Sequence, residues 1–360
     1  MTELDALFKL DPYSISHQQK NEILMEHLSA LHEHHLSLCE PYYQMVKSFG
    51  YLSKKHRTLA DFFYMPVQIF KHYDLKSIAT DEFSKTLTSS GTTSAQVSKI
   101  FLDKDTTRYQ TKALSSIMRS YLGAKRLPMI VVDTGSVIKD RKMFSARGGG
   151  IIGMSNFGRD HLYLFDDEMK IRHGELLTFL KEHEGEELFL FGFTFMVWLH
   201  LIRELEDSGE TLDLSGATLV HSGGWKKLEQ EKVDNATFKK RVKATTGIDR
   251  VYNFYGMVEQ MGSVYMECEK GYLHASLFSD VIVRDVLNHE VLPVGQVGII
   301  ETLSILPYSY PGHVILTEDQ GVVHGIDDCE CGRKGTYFSI IGRLPKAEVR
   351  GCSDTYEAGA

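Results

Sequence analysis

The sequence is poor in cysteine, in positive charge and in long apolar runs. Its 360 residues include five cysteines, an odd number unevenly placed, which argues against the disulfide framework of a small secreted protein. The formal net charge of −8 argues against nucleic acid as a main partner, because phosphate binding needs a basic face. The longest apolar stretch, 188–202, is too short and too interrupted to span a bilayer. Glu3 and Asp5 stand where a signal peptide would be basic, so we expect a cytoplasmic protein without a membrane span.

The overall composition is that of an ordinary globular protein. Hydrophobic residues make up 42% and charged residues 24% of the chain, and its length allows a large core and more than one subdomain. We expect a mainly helical region over residues 1–80 and an α/β core over 81–272. A β-rich subdomain over 273–342, where glycine and proline recur at short intervals, and a flexible tail over 343–360 should follow.

The N-terminal region has the spacing of an amphipathic helix. Apolar residues recur at helical intervals between residues 18 and 35. Several histidines fall between His27 and His35. They favour a solvated helix face over a metal site, because no cysteine or carboxylate lies at ligand spacing on the same face.

The central region alternates between predicted strands and helices. Apolar runs at 128–132, 188–193 and 219–220 are typical of the buried strands of a parallel sheet. The glycine-rich segment 148–153 lacks the GxGxxG spacing of a dinucleotide loop, so we interpret it as a flexible loop near a substrate channel. Thr194 is predicted to cap a helix that begins at Phe195.

A hydroxyl-rich turn between two β-prone stretches is the most distinctive segment. It comprises Ser89, Ser90, Gly91, Thr92, Thr93 and Ser94. Glycine permits a tight backbone there, and hydroxyl and amide groups can converge on the oxygens of a polyphosphate. Such runs are also common in ordinary loops, so the turn becomes informative only in combination with later segments of the chain.

Three later stretches carry chemistry that matches a phosphate-binding turn. They are Ser222-Gly223-Gly224, Tyr255-Gly256 together with Glu259, and Asp319 followed by Arg343. The small residues can let a flat adenine lie against the backbone, and Tyr255 can stack on it. Glu259 offers a hard oxygen ligand for Mg²⁺. Asp319 can accept both ribose hydroxyls, and Arg343 can reach the ribose or the transferred phosphate.

In this order the stretches predict activation of a carboxylic acid by ATP. The turn would hold the β- and γ-phosphates while the carboxylate attacks the α-phosphorus. An ionised carboxylate needs no general base, so the protein would act mainly by positioning and by neutralising charge. Each stretch alone also has an ordinary structural explanation, such as a turn, a buried tyrosine or a solvated acid.

The sequence resembles the acyl- and aryl-adenylating superfamily, which includes acyl-CoA synthetases. Within it, the chain is most similar to the LuxE-type acyl-protein synthetases, with phenylacetate-CoA ligase as a near relative. The most specific segments are SSGTTSAQVSKIFLD, HSGGWK, YGMVEQ and GRLPKAEVRGC, and the likeness extends over about residues 63–352. It implies an α/β fold with two βαβ-type layers that bind nucleotide and acyl group, plus a smaller β-rich subdomain.

The sequence departs from the superfamily pattern in two places, and the second departure favours the LuxE-type architecture. The phosphate turn is not followed by the usual Gly-x-Pro-Lys, and the nearest lysine is Lys99. The chain also ends shortly after Gly351, where CoA ligases continue into a mobile lid that carries a catalytic lysine. We therefore expect the usual C-terminal lid domain to be absent, which suits a CoA ligase poorly.

Four residues near the β-rich region have the composition of a structural zinc site. Cys268 and His274 lie close together in sequence, and Cys329 and Cys331 flank a single residue. Three sulfurs and one imidazole complete a tetrahedral zinc shell, with His313 or His324 as substitute ligands. A similar arrangement in phenylacetate-CoA-ligase-like proteins implies that the two segments meet. The alternative is a set of unrelated reduced thiols.

Cys352 lies in a tail rich in serine, glycine and acidic residues. A thiol near a chain end is either inert or a reaction centre. The resemblance to LuxE-type proteins implies the second, with Cys352 receiving the acyl group as a thioester from an acyl-AMP. An acyl-reductase-type protein or another acceptor would then take the acyl group, and a fatty acid is the expected substrate.

Two alternatives of different kinds stay open at the level of sequence. The first is a standalone ligase that transfers the acyl group to free CoA or to a carrier protein. The second is a nucleotide-binding scaffold without turnover, which the missing Pro-Lys after the turn favours. Glu259, Asp319 and Arg343 argue against the second, because a binding scaffold does not need them all.

Overall fold

The computed structural model describes residues 4–79, 81–89, 97–138 and 146–344. These residues form two compact units. The first unit is built from residues 4–89, 97–120 and 256–344, and the second from residues 121–255, with the gaps just given. Within the described part of the chain, no helix is long and apolar enough to cross a membrane.

Helices and strands are numbered here in chain order. The α-helices are α1 (Leu4–Leu7), α2 (His17–Leu38), α3 (Glu40–Ser48), α4 (Ile69–His72), α5 (Lys104–Leu122), α6 (Ala146–Ser155), α7 (His173–Glu182), α8 (Thr194–Met196), α9 (Glu204–Ser208) and α10 (Asn235–Thr246). The strands are β1 (Met65–Pro66), β2 (Lys85–Thr88), β3 (Lys99–Leu102), β4 (Leu127–Thr134), β5 (Gly158–Phe165), β6 (Leu188–Phe193), β7 (Ala217–Ser222), β8 (Arg250–Tyr255), β9 (Tyr265–Glu267), β10 (Leu273–His274), β11 (Ser279–Arg284), β12 (Val297–Ser304), β13 (Val314–Ile326) and β14 (Thr336–Arg343). Short 3₁₀ helices span Leu59–Asp61, Gly135–Ile138, Lys226–Glu231 and Val258–Gln260, and a π-helix, Val197–Arg203, joins α8 to α9.

The first unit combines an antiparallel sheet with the N-terminal helices. Its strands follow the order β11-β12-β13-β14-β10-β9, and β1 pairs with β13 in parallel. Strands β2 and β3 form a separate antiparallel hairpin. Buried side chains from α3, α4, β3 and the segment around Tyr310 share one core, which includes the thiol of Cys39.

The second unit contains a parallel sheet. Its order is β8-β7-β6-β4-β5, and every neighbouring pair in that order runs in parallel. All six residues of β6 and all six of β7 are buried, which explains the continuous apolar runs read from the sequence. The mixed α/β fold predicted from the sequence is confirmed.

Helix α2 begins where its sequence provides a complete N-terminal cap. Ser16 and Gln19 form a capping box, each side chain bonding the other's backbone N–H. The apolar positions Leu24 and Leu28 are fully buried. The solvated histidine face predicted for this helix is wrong, because His32 and His35 are 2% and 0% exposed.

Local hydrogen bonds explain the burial of these histidines. His32 Nδ1 lies 2.8 Å from Tyr42 Oη. His35 Nδ1 lies 2.7 Å from Ser77 Oγ, and its Nε2 lies 3.1 Å from the Pro307 carbonyl oxygen. Burial lowers the pKa of His32 to about 4, so the imidazoles serve as neutral hydrogen-bonding core residues.

Two local predictions for the second unit are wrong. The glycine-rich segment is not a loop but most of helix α6. A Cβ on Gly150 would lie 2.9 Å from Cζ of Phe193, so glycine there permits close helix–strand packing. Thr194 does not cap the following helix but is its first residue, and its hydroxyl lies 2.9 Å from Nδ1 of His221.

The domain boundaries that the sequence suggests at residues 80, 272 and 342 remain predictions. Contacts between the described residues group the chain in a different way, into two units that are each discontinuous along the sequence. The N-terminal helices and the strands that follow residue 256 belong to the same unit, because helices of residues 4–79 cover part of the antiparallel sheet.

The glycines of α6 allow a matched test of this packing. A Cβ on Gly153 would have no atom within 4 Å, so Gly153→Ala should stabilise the protein by about 0.5–1 kcal/mol through helix propensity. The methyl group added by Gly150→Ala would clash with the buried Phe193 ring, so this variant should destabilise the protein by about 1–3 kcal/mol. Urea unfolding of both variants measures the difference. Equal stabilisation by the two alanines would contradict the close contact.

Candidate active site

The carboxyl edge of the parallel sheet carries one set of predicted nucleotide-binding residues. Strands β7 and β8 end there side by side, with Ser222 paired to Phe254. The Ser222 hydroxyl donates to the Phe254 carbonyl at 2.8 Å, and Gly223 has a φ of +89° that glycine adopts without strain. Tyr255 is the last residue of β8 and is half-buried. Ligands of open parallel sheets bind at this edge.

Sequence reasoning missed two polar groups at the same edge. Asp133, near the end of β4, is 1% exposed and lies 3.3 Å from Nε of Arg147. His221 precedes Ser222 and is 3% exposed. Burial, assisted by the charge of Lys239, lowers the pKa of His221 to about 3, so the ring is neutral at physiological pH. A charged residue directly after a buried apolar run was the signal available for Asp133.

In the first unit, the hairpin β2–β3 places the base of the hydroxyl-rich turn. The Ser89 amide donates to the Ser98 carbonyl at 3.1 Å, and the Ser98 amide donates to Ser89 Oγ at 2.9 Å. Ser90, Gly91, Thr92, Thr93 and Ser94 lie outside the described residues. Lys99 is the lysine nearest to the turn in sequence. Its ammonium group lies 3.4 Å from Asp74 in an exposed ion pair.

Glu259 lies beside the base of this turn. It belongs to the 3₁₀ helix Val258–Gln260 and is 5% exposed. Burial raises the pKa of its carboxyl group, while a hydrogen bond from the Ser98 hydroxyl and the charges of Lys71 and Arg343 act in the opposite direction. Two sequence stretches that were expected to act together therefore meet within the first unit. Ser98 was not predicted, because nothing in its sequence context separates it from other strand residues.

The predicted ribose-binding pair also lies in the first unit. Asp319 on β13 stands opposite Arg343 on β14, and Arg343 Nε lies 3.5 Å from Asp319 Oδ1. The Asp319 amide donates to Thr317 Oγ1 at 3.1 Å. The two side chains keep 17% and 37% of their surface exposed. The sheet therefore holds both groups in register and leaves them accessible.

The predicted site residues divide between the two units. Ser222, Gly223, Gly224 and Tyr255 belong to the second unit, whereas Ser89, Gly256, Glu259, Asp319 and Arg343 belong to the first. Within each unit the residues are gathered by strand ends or by paired strands. Cys352, the predicted acyl acceptor, lies outside the described residues.

The predicted zinc ligands form a separate cluster in the first unit. The candidate ligand atoms of Cys268, His274, Cys329 and Cys331 all lie within 4.8 Å of one another. Cys268 Sγ is 4.0 Å from Cys329 Sγ, and Cys331 Sγ is 3.4 Å from His274 Nε2. Burial raises the pKa of Cys268, and that of Cys329 to about 12.

Two turns and one strand bring these four residues together. The Gly271 amide donates to the Cys268 carbonyl, and the Gly332 amide donates to the Cys329 carbonyl. His274 projects from β10, which pairs with both β9 and β14. The substitute ligands lie elsewhere, since His313 Nε2 is 3.2 Å from Tyr42 Oη and His324 Nε2 is 2.8 Å from Ser339 Oγ.

Comparison with protein families now assigns the chain. The profile described as "Acyl-protein synthetase, LuxE" matches residues 1–358. The chain belongs to the LuxE family of acyl-protein synthetases. This LuxE-family chain is also 23% identical to the long-chain-fatty-acid–luciferin-component ligase of Aliivibrio fischeri over 195 residues, or 52% of this chain. That match spans about half of the relative, 49% of its length.

Solved structures show the same fold. An open conformation of 2-hydroxyisobutyryl-CoA ligase, in complex with 2-HIB-AMP and CoA, superposes with a TM-score of 0.73 at 16% identity, covering 94% of this chain and 79% of the ligase. The same ligase in its postadenylation state gives a TM-score of 0.71 at 15% identity, covering 92% and 70%. The LuxE-family chain therefore has the adenylating-enzyme fold predicted from its sequence.

The burial of Glu259 has a consequence for stability. A raised carboxyl pKa means that the folded state favours the neutral acid, so stability is fully present below the unfolded pKa of about 4.3 and is lost as pH rises through the folded value. Glu259→Gln should therefore stabilise the nucleotide-free protein at pH 7 by about 0.5–2 kcal/mol. The difference should vanish at about pH 4. Urea unfolding at a series of pH values measures it.

Glu301 provides the matched control for this substitution. It is fully buried like Glu259, but its Oε1 accepts a hydrogen bond from Arg284 Nη2 at 3.2 Å. Glu301→Gln should lower stability by about 3 kcal/mol, because it leaves a buried guanidinium without its counter-charge. A loss of stability in Glu259→Gln as large as that in Glu301→Gln would contradict the assigned environment of Glu259.

Proposed function

We propose that this LuxE-family chain activates a carboxylic acid with ATP and carries the product as a thioester. The carboxylate oxygen attacks the α-phosphorus, pyrophosphate leaves, and an acyl-AMP forms. The thiolate of Cys352 then attacks the acyl carbonyl, AMP leaves, and the acyl group remains on sulfur. The observation that carries the proposal is the ion pair of Asp319 with Arg343 on paired strands, the predicted ribose-binding pair, in a chain with this family membership and fold.

The residues of each unit have defined parts in this proposal. The Ser89–Ser94 turn holds the phosphates of ATP, and Glu259 supplies an anionic oxygen toward Mg²⁺, which neutralises phosphate charge when bound. Asp319 accepts the ribose hydroxyls, and Arg343, already paired with it, orients its carboxylate. Ser222, Gly223, Gly224, Tyr255 and Gly256 are the proposed adenine contacts.

A fatty acid is the proposed substrate. The support is the name of the Aliivibrio fischeri relative, a long-chain-fatty-acid–luciferin-component ligase. An acyl-reductase-type protein or another acceptor would take the acyl group from Cys352. The competing acceptor is free CoA, which the matching ligase structure contains, and the two differ in where the acyl group is found after the reaction.

The thiol cluster fits a structural zinc ion. Three sulfurs and one imidazole within 4.8 Å are the donors and spacing of a closed tetrahedral site. Burial disfavours thiolates at Cys268 and Cys329, and a bound cation is what would stabilise them there. When bound, zinc would cross-link the two turns that carry the cysteines. It takes no part in the proposed reaction.

Acid-dependent ATP–pyrophosphate exchange tests the first half of the reaction. Wild-type protein should exchange with at least one member of a panel of carboxylic acids. Glu259→Gln should abolish exchange, because a neutral amide is a poor Mg²⁺ ligand where phosphates crowd, whereas Glu22→Gln on the exposed side of α2 should leave the rate unchanged. Exchange by Glu259→Gln at the wild-type rate would remove Glu259 from the site.

Labelling with a radioactive acid tests the second half. Wild-type protein incubated with ATP and labelled acid should carry label that hydroxylamine removes, as a thioester requires. Cys352→Ser should retain pyrophosphate exchange and lose this label, while Cys39→Ser, at a buried thiol, should keep both. Label on the serine variant equal to wild type would place the acyl group elsewhere, and acyl-CoA formation without protein label would favour the CoA ligase.

Metal analysis tests the zinc site. Protein purified without chelators should contain about one zinc per chain. Cys329→Ser should lower both the zinc content and the free energy of unfolding, because it removes one of four ligands, and Cys39→Ser should leave the zinc content unchanged. Metal-free wild-type protein would refute the site.

A further inference from the structure

Glu259 sits in an element too short to hold itself in place. The 3₁₀ helix around it spans three residues, and a single turn of this kind contributes little rigidity. A phenol from a distant segment contacts it: Tyr310 Oη donates to the main-chain carbonyl oxygen of Glu259 at 2.9 Å. This hydrogen bond anchors the main chain of the turn at Glu259.

Tyr310 is itself buried and hydrogen-bonded. It is 0% exposed and belongs to the largest buried side chains of the described protein. Gln110 Nε2, on helix α5, donates to Tyr310 Oη at 3.3 Å. Burial raises the pKa of the phenol above its usual value, so the hydroxyl keeps its proton at neutral pH and can donate to the Glu259 carbonyl.

Two glycines allow these segments to approach so closely. A Cβ on Gly312 would lie 2.7 Å from the Glu259 carbonyl oxygen. A Cβ on Gly262, whose φ is +84°, would lie 2.6 Å from the Gln110 carbonyl oxygen. Gln260 Nε2 closes the arrangement by donating to the Gly312 carbonyl at 2.9 Å. No larger residue fits at either glycine, which is what a tightly held turn requires.

We propose that Tyr310 is a positioning residue for Glu259, and that Gln110 sets the direction of its hydroxyl. The inference rests on the proposed function, in which the Glu259 carboxylate faces Mg²⁺ and the phosphates of ATP. Tyr310 holds the main chain of Glu259 through a hydrogen bond to its carbonyl oxygen, and the Glu259 side chain is buried. With its main chain fixed and its side chain enclosed, the carboxylate is oriented before substrate arrives, and so little binding energy is spent on ordering it.

The decisive variant is Tyr310→Phe, matched by Tyr265→Phe. Tyr265 is 1% exposed, and its hydroxyl donates to the Asp280 carbonyl at 3.1 Å. Each substitution deletes a buried phenol-to-carbonyl hydrogen bond in the same unit, and Tyr310→Phe also removes the acceptor of Gln110 Nε2, so Tyr310→Phe should lower stability at least as much as Tyr265→Phe. Only Tyr310→Phe removes a hydrogen bond to the turn that carries Glu259.

The readouts are pyrophosphate exchange and its dependence on Mg²⁺ concentration, beside urea unfolding. Tyr310→Phe should lower the maximal exchange rate by about tenfold or more and raise the Mg²⁺ concentration at half-maximal rate, with the KM for the acid unchanged. Tyr265→Phe should stay within about twofold of wild type. Equal exchange and equal Mg²⁺ dependence in the two variants, at equal stability, would overturn the positioning role.

Gln110→Met is a second variant that tests the same positioning role if Tyr310→Phe does not fold. Methionine preserves the side-chain volume and removes the donor, so exchange should fall about three- to tenfold with the same shift in Mg²⁺ dependence. Because Gln110 acts through Tyr310, adding Gln110→Met to Tyr310→Phe should cause no further loss. Full activity of Gln110→Met, or additive losses in the double variant, would contradict this coupling.

The same experiment separates this inference from the function on which it rests. Wild-type exchange that Tyr310→Phe and Gln110→Met leave unaltered would overturn the positioning role alone and leave the adenylation proposal in place. Absence of exchange in wild-type protein with every acid of the panel would overturn the adenylation proposal and, with it, the role of Tyr310.

Discussion

A carboxylate enclosed away from water is the constraint that governs the candidate site of the first unit. Burial of Glu259 favours its neutral form, yet a metal-facing role needs the anion. Three surrounding groups each favour the ionised form and so partly offset the effect of burial on the Glu259 pKa: the Ser98 hydroxyl and the charges of Lys71 and Arg343. Among the described residues none of these is a tight ion pair, which is what the proposed role of Glu259 toward Mg²⁺ requires.

Other buried charges in the same unit are arranged in the opposite way. Arg284 and Glu301 neutralise each other directly, and Lys20 lies 3.1 Å from Asp280 with both side chains 2% exposed. Such pairs have no capacity left for a ligand, and they hold elements together. The contrast distinguishes structural charges from Glu259, which is buried without a dedicated partner of opposite sign in the part of the chain that the structure describes.

The cysteine–histidine cluster illustrates how sheet pairing can assemble a site from distant segments. The pairing of β10 with β9 and with β14 brings His274 between the two turns that carry the cysteines. Two turns of this kind have little core of their own, and a metal cross-link is a common means of fixing them. Its position away from Glu259, Asp319 and Arg343 agrees with a structural rather than a chemical contribution.

The sequence by itself determined the α/β class, the buried strands of the parallel sheet and the family. Apolar runs, turn residues and motif order are properties of the sequence, and they can be recognised without knowledge of the fold. The donor set of the proposed zinc site was also readable, because the identities of Cys268, His274, Cys329 and Cys331 define the chemistry before the geometry is known. The pairing of Asp319 with Arg343 could not be read in this way, since it depends on the register of two strands.

Only the tertiary structure decided the environments of individual groups. The sequence pattern of the glycine-rich segment 148–153 suggests a loop. In the structure the segment is helical, and the Phe193 ring beside Gly150 explains why the helix needs small residues there. His32 and His35 read as solvated until their hydrogen bonds to Tyr42 and Ser77 appear. Ser98 and Tyr310 carry no local signal, because what distinguishes them is contact with Glu259 across long stretches of sequence. Burial and hydrogen bonding between distant segments arise only when the chain packs, and local pattern does not contain them.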